Sequence, residues 1–488
     1  MSEQAETYLR VIAETELRRA LAQPKVQMRR HRRFPSKRVV RFVFRRLGPV
    51  RFVLQRLGPM LLAGQARWHA LRRLGPGRGR VHAGAEDGLH RLAVAADALA
   101  AVDAIDDDLA KSVIADQAIA LEIRQRVFGG RFHNMARPAI APPAGQFLAV
   151  GIAKRVGLEV EGDPVEITLL GLVIGPDRAV LTITARRQRA TEDDDDDGFW
   201  FLQEVTAVDN LGGRYRFGLS GGGDDEVWTG QLHLHPVPRG GVRWLDLTLG
   251  PGTPPVRIDL DQVTGPEPAI EPLPRSELAE RYLDKAAEEL LAGRQWQARR
   301  LSGGVQALLG AALIAPDDDA IARLATLARR LGVSLPPGLP DGPDSDLPER
   351  WLSVLGTTGA KDGPTGIAVA AAVLPELDGT RWTITGLRST AESAELQVLG
   401  WGGDSEPSHH RYRTPSKFSW WARDNTGRWH VANMSGGSWS GMHSDFTLAL
   451  TPALHPAATS IDVVLTGKSG RVTVTLPLDW ALTDGAQP

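Results

Sequence analysis

Hydrophobic and polar positions follow two rhythms along the chain, and the pair of rhythms occurs twice. Over Glu3 to Leu21 the apolar residues Tyr8, Leu9, Ile12 and Leu17 recur at helical spacing, and Ser276 to Leu291 answers with Leu278, Tyr282, Leu283, Ala286 and Leu290. Further helices are predicted near 89–102 and 109–127, and near 305–313 and 320–331. The triplets Asp106–Asp108 and Asp317–Asp319 open the later ones, where carboxylates satisfy orphan amides and the positive end of the dipole. The rhythm then changes to strand-length alternation or short apolar runs. These are Val165–Leu170, Val180–Thr184, Trp228–Leu234 and Val242–Leu249, then Trp382–Leu387, Ala394–Val398, Phe446–Leu450, Ile461–Leu465 and Val472–Leu478, with Gly, Asp or Pro clusters between them.

Short segments of the two halves correspond in order. Ala5-Glu6-Thr7-Tyr8-Leu9 matches Ala279-Glu280-Arg281-Tyr282-Leu283 at an offset of 274, and the Asp triplets match at 211. From Gly151-Ile152-Ala153 with Gly366-Ile367-Ala368 onward, the offset stays between 211 and 216 for about 100 residues. Asp209-Asn210 before Arg214-Tyr215 pairs with Asp424-Asn425 before Arg428-Trp429, the offset falling there from 215 to 214. The pattern predicts an α+β multidomain protein, a tandem duplication of a small helical segment followed by an antiparallel sandwich. The boundaries read as a helix over 1–23, an insert over 24–87, helices over 88–130 and a first sandwich over 145–263. A Pro-rich linker at 264–275 leads to helices over 276–333, a Pro/Gly/Asp-rich linker at 334–349 and a second sandwich over 350–482. At 488 residues the chain is too long for one ordinary core, which fits several domains.

The Asp-Asn-x-Gly turns at Asp209 and Asp424, each followed by a strand that begins Arg-aromatic, and the late strand ending in a proline-containing turn resemble bacterial immunoglobulin-like modules of unknown function. The resemblance implies a β-sandwich fold and no activity. With no cysteine in the chain, a disulfide-pinned immunoglobulin domain, a thiolate metal site and a cysteine nucleophile are all excluded.

A net charge of −1 hides a separation: residues 24–80 hold 17 Lys plus Arg and no acid, leaving 40 basic and 58 acidic residues elsewhere. Inside that block Val40-Arg41-Phe42-Val43-Phe44-Arg45-Arg46-Leu47-Gly48-Pro49 is followed by Val50-Arg51-Phe52-Val53-Leu54-Gln55-Arg56-Leu57-Gly58-Pro59. Arg29, Arg30, Arg32, Arg33, Lys37, Arg38, Arg41, Arg45, Arg46 and Arg51 are the candidates for an anionic partner, either nucleic acid or an anionic surface. A mobile low-complexity insert and an out-of-frame stretch are the competing accounts, and the second half manages without the block. No apolar run reaches spanning length, and the acidic start is unlike a secretory signal, so a cytoplasmic location is expected.

Candidate chemistry is sparse. The run Glu192 to Asp197 lacks the alternating turn residues of a calcium loop, and His233 and His235 share a strand face without a third ligand, so no metal and no cofactor is expected. Thr466-Gly467-Lys468-Ser469-Gly470 lacks the upstream glycine of a phosphate loop, and Gly221–Gly223 and Gly436–Gly437 are expected in loops of positive φ. Aromatics crowd late in the chain. Trp401, Trp420, Trp421, Trp429 and Trp439 form the candidate binding surface, since exposed aromatic faces hold a partner by stacking and burial. The expected function is a non-enzymatic interaction or scaffold protein that binds a protein partner through its β surface. The alternatives are a nucleic-acid-associated regulator using the basic insert and, with least support, a metal-dependent hydrolase.

Overall fold

The computed structural model describes residues 139–140 and 144–483, apart from 161–162, 188–199, 224–226, 251–252, 262–266, 274–277, 296–297, 299–300, 302–318, 335–343, 405–417 and 468. The N-terminal helices, the basic insert and the acidic run therefore lie outside the described residues. The described residues fall into two compact units. One holds helices α1 (Leu278–Leu291) and α2 (Asp319–Arg330). Their apolar stripes, Leu283, Ala286, Ala287 and Leu290 on α1 and Ile321, Leu324, Leu327 and Ala328 on α2, are buried, as expected for amphipathic helices that pack on one another.

The second unit contains α3 (Glu349–Thr357) and two antiparallel sheets. In chain order the strands are β1 (Ala139–Ile140), β2 (Leu148–Val160), β3 (Asp163–Ile174), β4 (Ala179–Arg187), β5 (Thr206–Asp209), β6 (Arg214–Gly223), β7 (Val227–His235), β8 (Trp244–Thr248), β9 (Val256–Asp259) and β10 (Ile270–Pro272). Then follow β11 (Gly366–Ala368), β12 (Ala372–Leu377), β13 (Thr380–Ser389), β14 (Ala394–Asp404), β15 (Ser419–Asp424), β16 (Trp429–Ser440), β17 (His443–Thr451), β18 (Ser460–Thr466), β19 (Gly470–Pro477) and β20 (Trp480–Thr483). The first sheet has eight strands in the order β2-β3-β4-β7-β6-β5-β8-β9. The second has twelve, and from β12 it runs β12-β13-β14-β17-β16-β15-β18-β19, with β1, β10, β11 and β20 added at its margins. The eight central strands of the second sheet thus repeat the order of the first.

The expected fold class is overturned. The described residues are mostly β, and neither sheet belongs to a helical tandem carrying immunoglobulin-like sandwiches. An immunoglobulin sandwich divides its strands between two facing sheets, whereas here each run of eight is one continuous ladder that curls around its own core. Val165, Ile167, Leu169, Leu181, Ile183, Leu232, Leu234, Leu245 and Leu247 all belong to one buried cluster inside the first sheet. Its edges approach closely enough for Lys154 Nζ on β2 to donate to the Arg257 carbonyl on β9 at 2.6 Å. Strand length, alternation and turn spacing are local signals shared by sandwiches and curled sheets, so the pattern alone does not separate them.

The two sheets meet back to back through their first strands. At the bulges of β3 and β13, Gly171 faces Thr385 and Gly386 faces Leu170. Residues 170 and 385 are equivalents at the offset of 215, as are 171 and 386, so the contact is reciprocal in the manner of a two-fold dimer contact. A Cβ on Gly171 would stand 2.0 Å from the Thr385 carbonyl oxygen. Only glycine admits that approach. Thr182 Oγ1 donates to Thr385 Oγ1 beside it at 3.2 Å, and Ala149, Val173, Val180, Leu399 and Trp401 complete an apolar seam.

The glycine clusters also differ from expectation. Gly221–Gly223 end β6 and Gly436–Gly437 lie within β16 rather than in loops. At one glycine of each cluster an aromatic ring lies against the strand: a Cβ on Gly221 would come 2.4 Å from the Trp228 ring, and one on Gly437 2.6 Å from that of Phe446.

Candidate functional site

The tryptophans do not form one exposed platform. Trp401 is fully buried in the seam between the sheets, edge-on to Phe147 at 5.2 Å and to His443 at 6.1 Å. Trp420 points into the core of the second sheet, where its ring meets that of Trp382 at 5.7 Å. Trp421, one residue on, lies on the opposite face, as strand alternation requires, and is buried all the same. Trp429 sits beside it at 6.4 Å, half-buried. Trp439 lies near the end of β16 opposite Ser444. The ten basic candidates from Arg29 to Arg51 are outside the described residues.

Helix α3 is what covers Trp421. Trp351 and Val354 of α3 are buried, the Arg350 guanidinium stands over the Trp421 ring at 5.4 Å, and the Trp429 amide donates to Ser353 Oγ at 3.0 Å. Glu349, in the first turn of α3, pairs with Arg423 at 3.5 Å. Val431, also on this outer face, is fully buried.

A polar cluster that sequence reasoning missed lies where the β3–β4 turn meets β6, β7 and β17. Arg178 donates from Nε to His233 Nδ1 at 3.3 Å and from Nη2 to Gln231 Oε1 at 3.1 Å. Ser220 Oγ stands 2.6 Å from His233 Nε2, and His443 Nε2 stands 3.2 Å from Asp177 Oδ2. A serine against a histidine suggests a nucleophile and its base, but the guanidinium decides otherwise. Arginine has no acceptor, so Nδ1 must carry the lone pair, and the neutral ring must hold its proton on Nε2 and donate to Ser220. That is the reverse of a catalytic base, whose Nδ1–H is held by a carboxylate. Burial first, and then the charge of Arg178, push the His233 ring down to about 4, so it is neutral at physiological pH. Replacing Arg178 with glutamine is expected to move the His233 titration upward, toward 6.5 without reaching it because burial remains. Imidazole proton shifts followed by NMR across the acid range test this; an unchanged or lower midpoint contradicts the tautomer assignment. Among the described residues no group of three or more His, Asp or Glu is placed to hold a metal ion.

The two sheets differ most on the face that α3 covers in the second. Strand registers place Val208 opposite Arg214 in the first sheet and Arg423 opposite Trp429 in the second, so the offset of 215 does not slip after the turn. Thr206, Val208, Arg214 and Arg216 are then the equivalents of Trp421, Arg423, Trp429 and Val431. All four are exposed. Val208 is 43% accessible, and Leu211 at the adjoining hairpin is 63% accessible. Arg239 and Arg243, both exposed, come from the β7–β8 loop, which is tied to the hairpin by the Arg243 amide donating to Asn210 Oδ1 at 2.7 Å. None of Arg214, Arg216, Arg239 or Arg243 pairs with an acid among the described residues. Asp246, the nearest outward acid across from Val208, is held by Arg257 through two bonds of 2.8 Å. The first sheet thus presents an open, basic face with two exposed aliphatic side chains where the second presents a covered aromatic one.

Among the described residues no helix is long and apolar enough to cross a membrane. No family model matches the chain, and no curated protein matches it. A solved structure described as the crystal structure of the conserved domain protein from Bacillus anthracis is similar over 65% of this chain and 77% of that one, at 8% identity and a TM-score of 0.15, a likeness too slight to carry an argument.

Proposed function

We propose that the protein is a non-catalytic binding protein that engages a partner polypeptide on the outer face of its eight-stranded sheet, around Val208 and Arg214. The observation that carries this reading is the difference between the two sheets. The same face of the same strand order takes an α-helix in the second sheet and is exposed in the first, with aliphatic side chains left in water among arginines that pair with no acid among the described residues. Exposed apolar groups rimmed by polar ones are the mark of an interaction surface. The inverted Ser220–His233 tautomer supports the non-catalytic part, because the one serine–histidine pair among the described side-chain contacts presents a proton where a base needs a lone pair.

A photo-crosslinking residue placed at Val208 is expected to trap a discrete partner in cells of the source organism, whereas the same residue at Leu352, equally exposed on α3, traps none. Equal labelling from both positions, or none from either, overturns the proposal.

A further inference from the structure

We infer that the occupant of this open face is an acidic amphipathic helix of a partner protein, seated as α3 is seated on the second sheet; the inference rests on the binding function proposed above and names its partner class. Two independent features lead there. The first is the internal precedent: α3 lies on the equivalent strands, buries Trp351 and Val354 against them, and sets the acid of its first turn, Glu349, on Arg423. Arg423 is the equivalent of Val208, so the acid-bearing end of a helix placed in the same way falls beside Val208 and its cross-strand neighbour Arg214. The second is charge. Arg214, Arg216, Arg239 and Arg243 have no described acidic partner, and carboxylates of an incoming helix supply one by bidentate pairing. Val208 and Leu211 offer the apolar contact that an amphipathic helix needs beside its charges. Where the second sheet uses Trp421, Trp429 and Val431, the first has Thr206, Arg214 and Arg216. A polar, arginine-bearing face disfavours a permanent apolar lid and suits a partner that binds and leaves.

A nucleic-acid backbone would also meet the arginines. It would leave Val208 and Leu211 without a role, and the precedent of α3 would be irrelevant to it.

Fluorescence anisotropy on the full chain separates these cases. The probes are a labelled amphipathic peptide of about four helical turns with Glu on one face and Leu on the other, the same peptide with Gln for Glu, and a labelled DNA duplex, each at about 50 mM and about 200 mM salt. The arginine-rich block attracts every anion, so the informative quantity is the change on substitution. The double variant Arg214→Glu/Arg216→Glu is expected to weaken the acidic peptide by about tenfold or more and to leave the Gln peptide and the duplex within about twofold. Val208→Asp is expected to weaken the same peptide, while Lys361→Glu, a larger change of charge than Val208→Asp but on an exposed residue elsewhere, leaves it unaltered. All the substituted positions are exposed, and retained thermal midpoints identify any variant that misfolds. A duplex that loses affinity as much as the peptide does, or a peptide insensitive to the Arg214 and Val208 variants, overturns the inference. If the peptide fails in this way while crosslinking at Val208 persists, the binding function stands and only the partner chemistry is wrong; loss of both removes the function as well.

Discussion

Trp401→Ala is expected to destabilise the unit that carries both sheets by about 3–5 kcal/mol, lowering its thermal midpoint by roughly 10 °C. The ring is fully buried where the two sheets meet, with Leu399, Val173 and Val180 around it and the rings of Phe147 and His443 set nearly perpendicular to it. Removing it opens a cavity in a seam whose neighbours are held by two ladders and do not collapse freely. Gly175 lies alongside the ring, where a Cβ would come 3.2 Å from the indole nitrogen, so the backbone is already close. Calorimetry on the purified variant measures the loss. A cost below about 1 kcal/mol, the range of surface substitutions, would show that the sheets do not depend on this contact, and the placement of Trp401 in the seam would be wrong. An exposed binding tryptophan behaves in the opposite way, losing a ligand and keeping its stability.

The fate of that residue shows what was legible in the sequence. Strand existence was readable because alternation and turn chemistry act within a few residues: Val180–Thr184 and Ile461–Leu465 fall inside β4 and β18. The matching strand order could be suspected from the constant spacing of Gly171 with Gly386 and Asp209 with Asp424. Whether eight strands split into a sandwich or continue as one curled ladder depends on hydrogen bonds between segments tens of residues apart, and both arrangements use the same local pattern. Tryptophan burial was opaque for the same reason. That Trp420 and Trp421 take opposite faces follows from strand geometry, but that both faces are covered depends on α3, which lies about seventy residues earlier in the chain. The Arg178 cluster draws side chains from β6, β7, β17 and the β3–β4 turn, with no spacing in the sequence to announce it. The open basic face became visible only by comparing the two sheets once register was known. In the sequence alignment a one-residue slip set Tyr215 against Trp429, hiding the fact that its true counterpart is His430.

That counterpart leads to the other large effect. Asp209 and Asp424 close equivalent hairpins, each accepting the amides two and four residues ahead on Oδ1. The second oxygen takes a side chain from the next strand: the Tyr215 hydroxyl at 2.5 Å in the first sheet, and in the second the His430 ring, whose Nε2 lies 3.4 Å from Asp424 Oδ2. His430 Nδ1–H donates to the Pro452 carbonyl at 2.8 Å, and the His455 amide donates to Asp424 Oδ2 at 3.0 Å. Burial alone would raise the Asp424 carboxyl; the adjoining His430 ring, with hydrogen bonds from Thr426 and the His455 amide, outweighs it and holds the group far below its ordinary 3.8. A carboxyl depressed in the folded state contributes stability that is complete above its unfolded pKa and is lost as pH falls toward the folded one. Asp424→Ala is therefore expected to cost about 3–5 kcal/mol at neutral pH, because it removes at once the acceptor of three backbone amides and of the Thr426 hydroxyl. The difference between wild type and variant should narrow as the pH drops below about 4, since the wild type gives up the contribution that the variant never had. Urea midpoints at neutral pH and at about pH 3 supply the comparison. A gap that stays constant between the two would mean that the ionised carboxylate is not what anchors the hairpin, and that shape alone holds it.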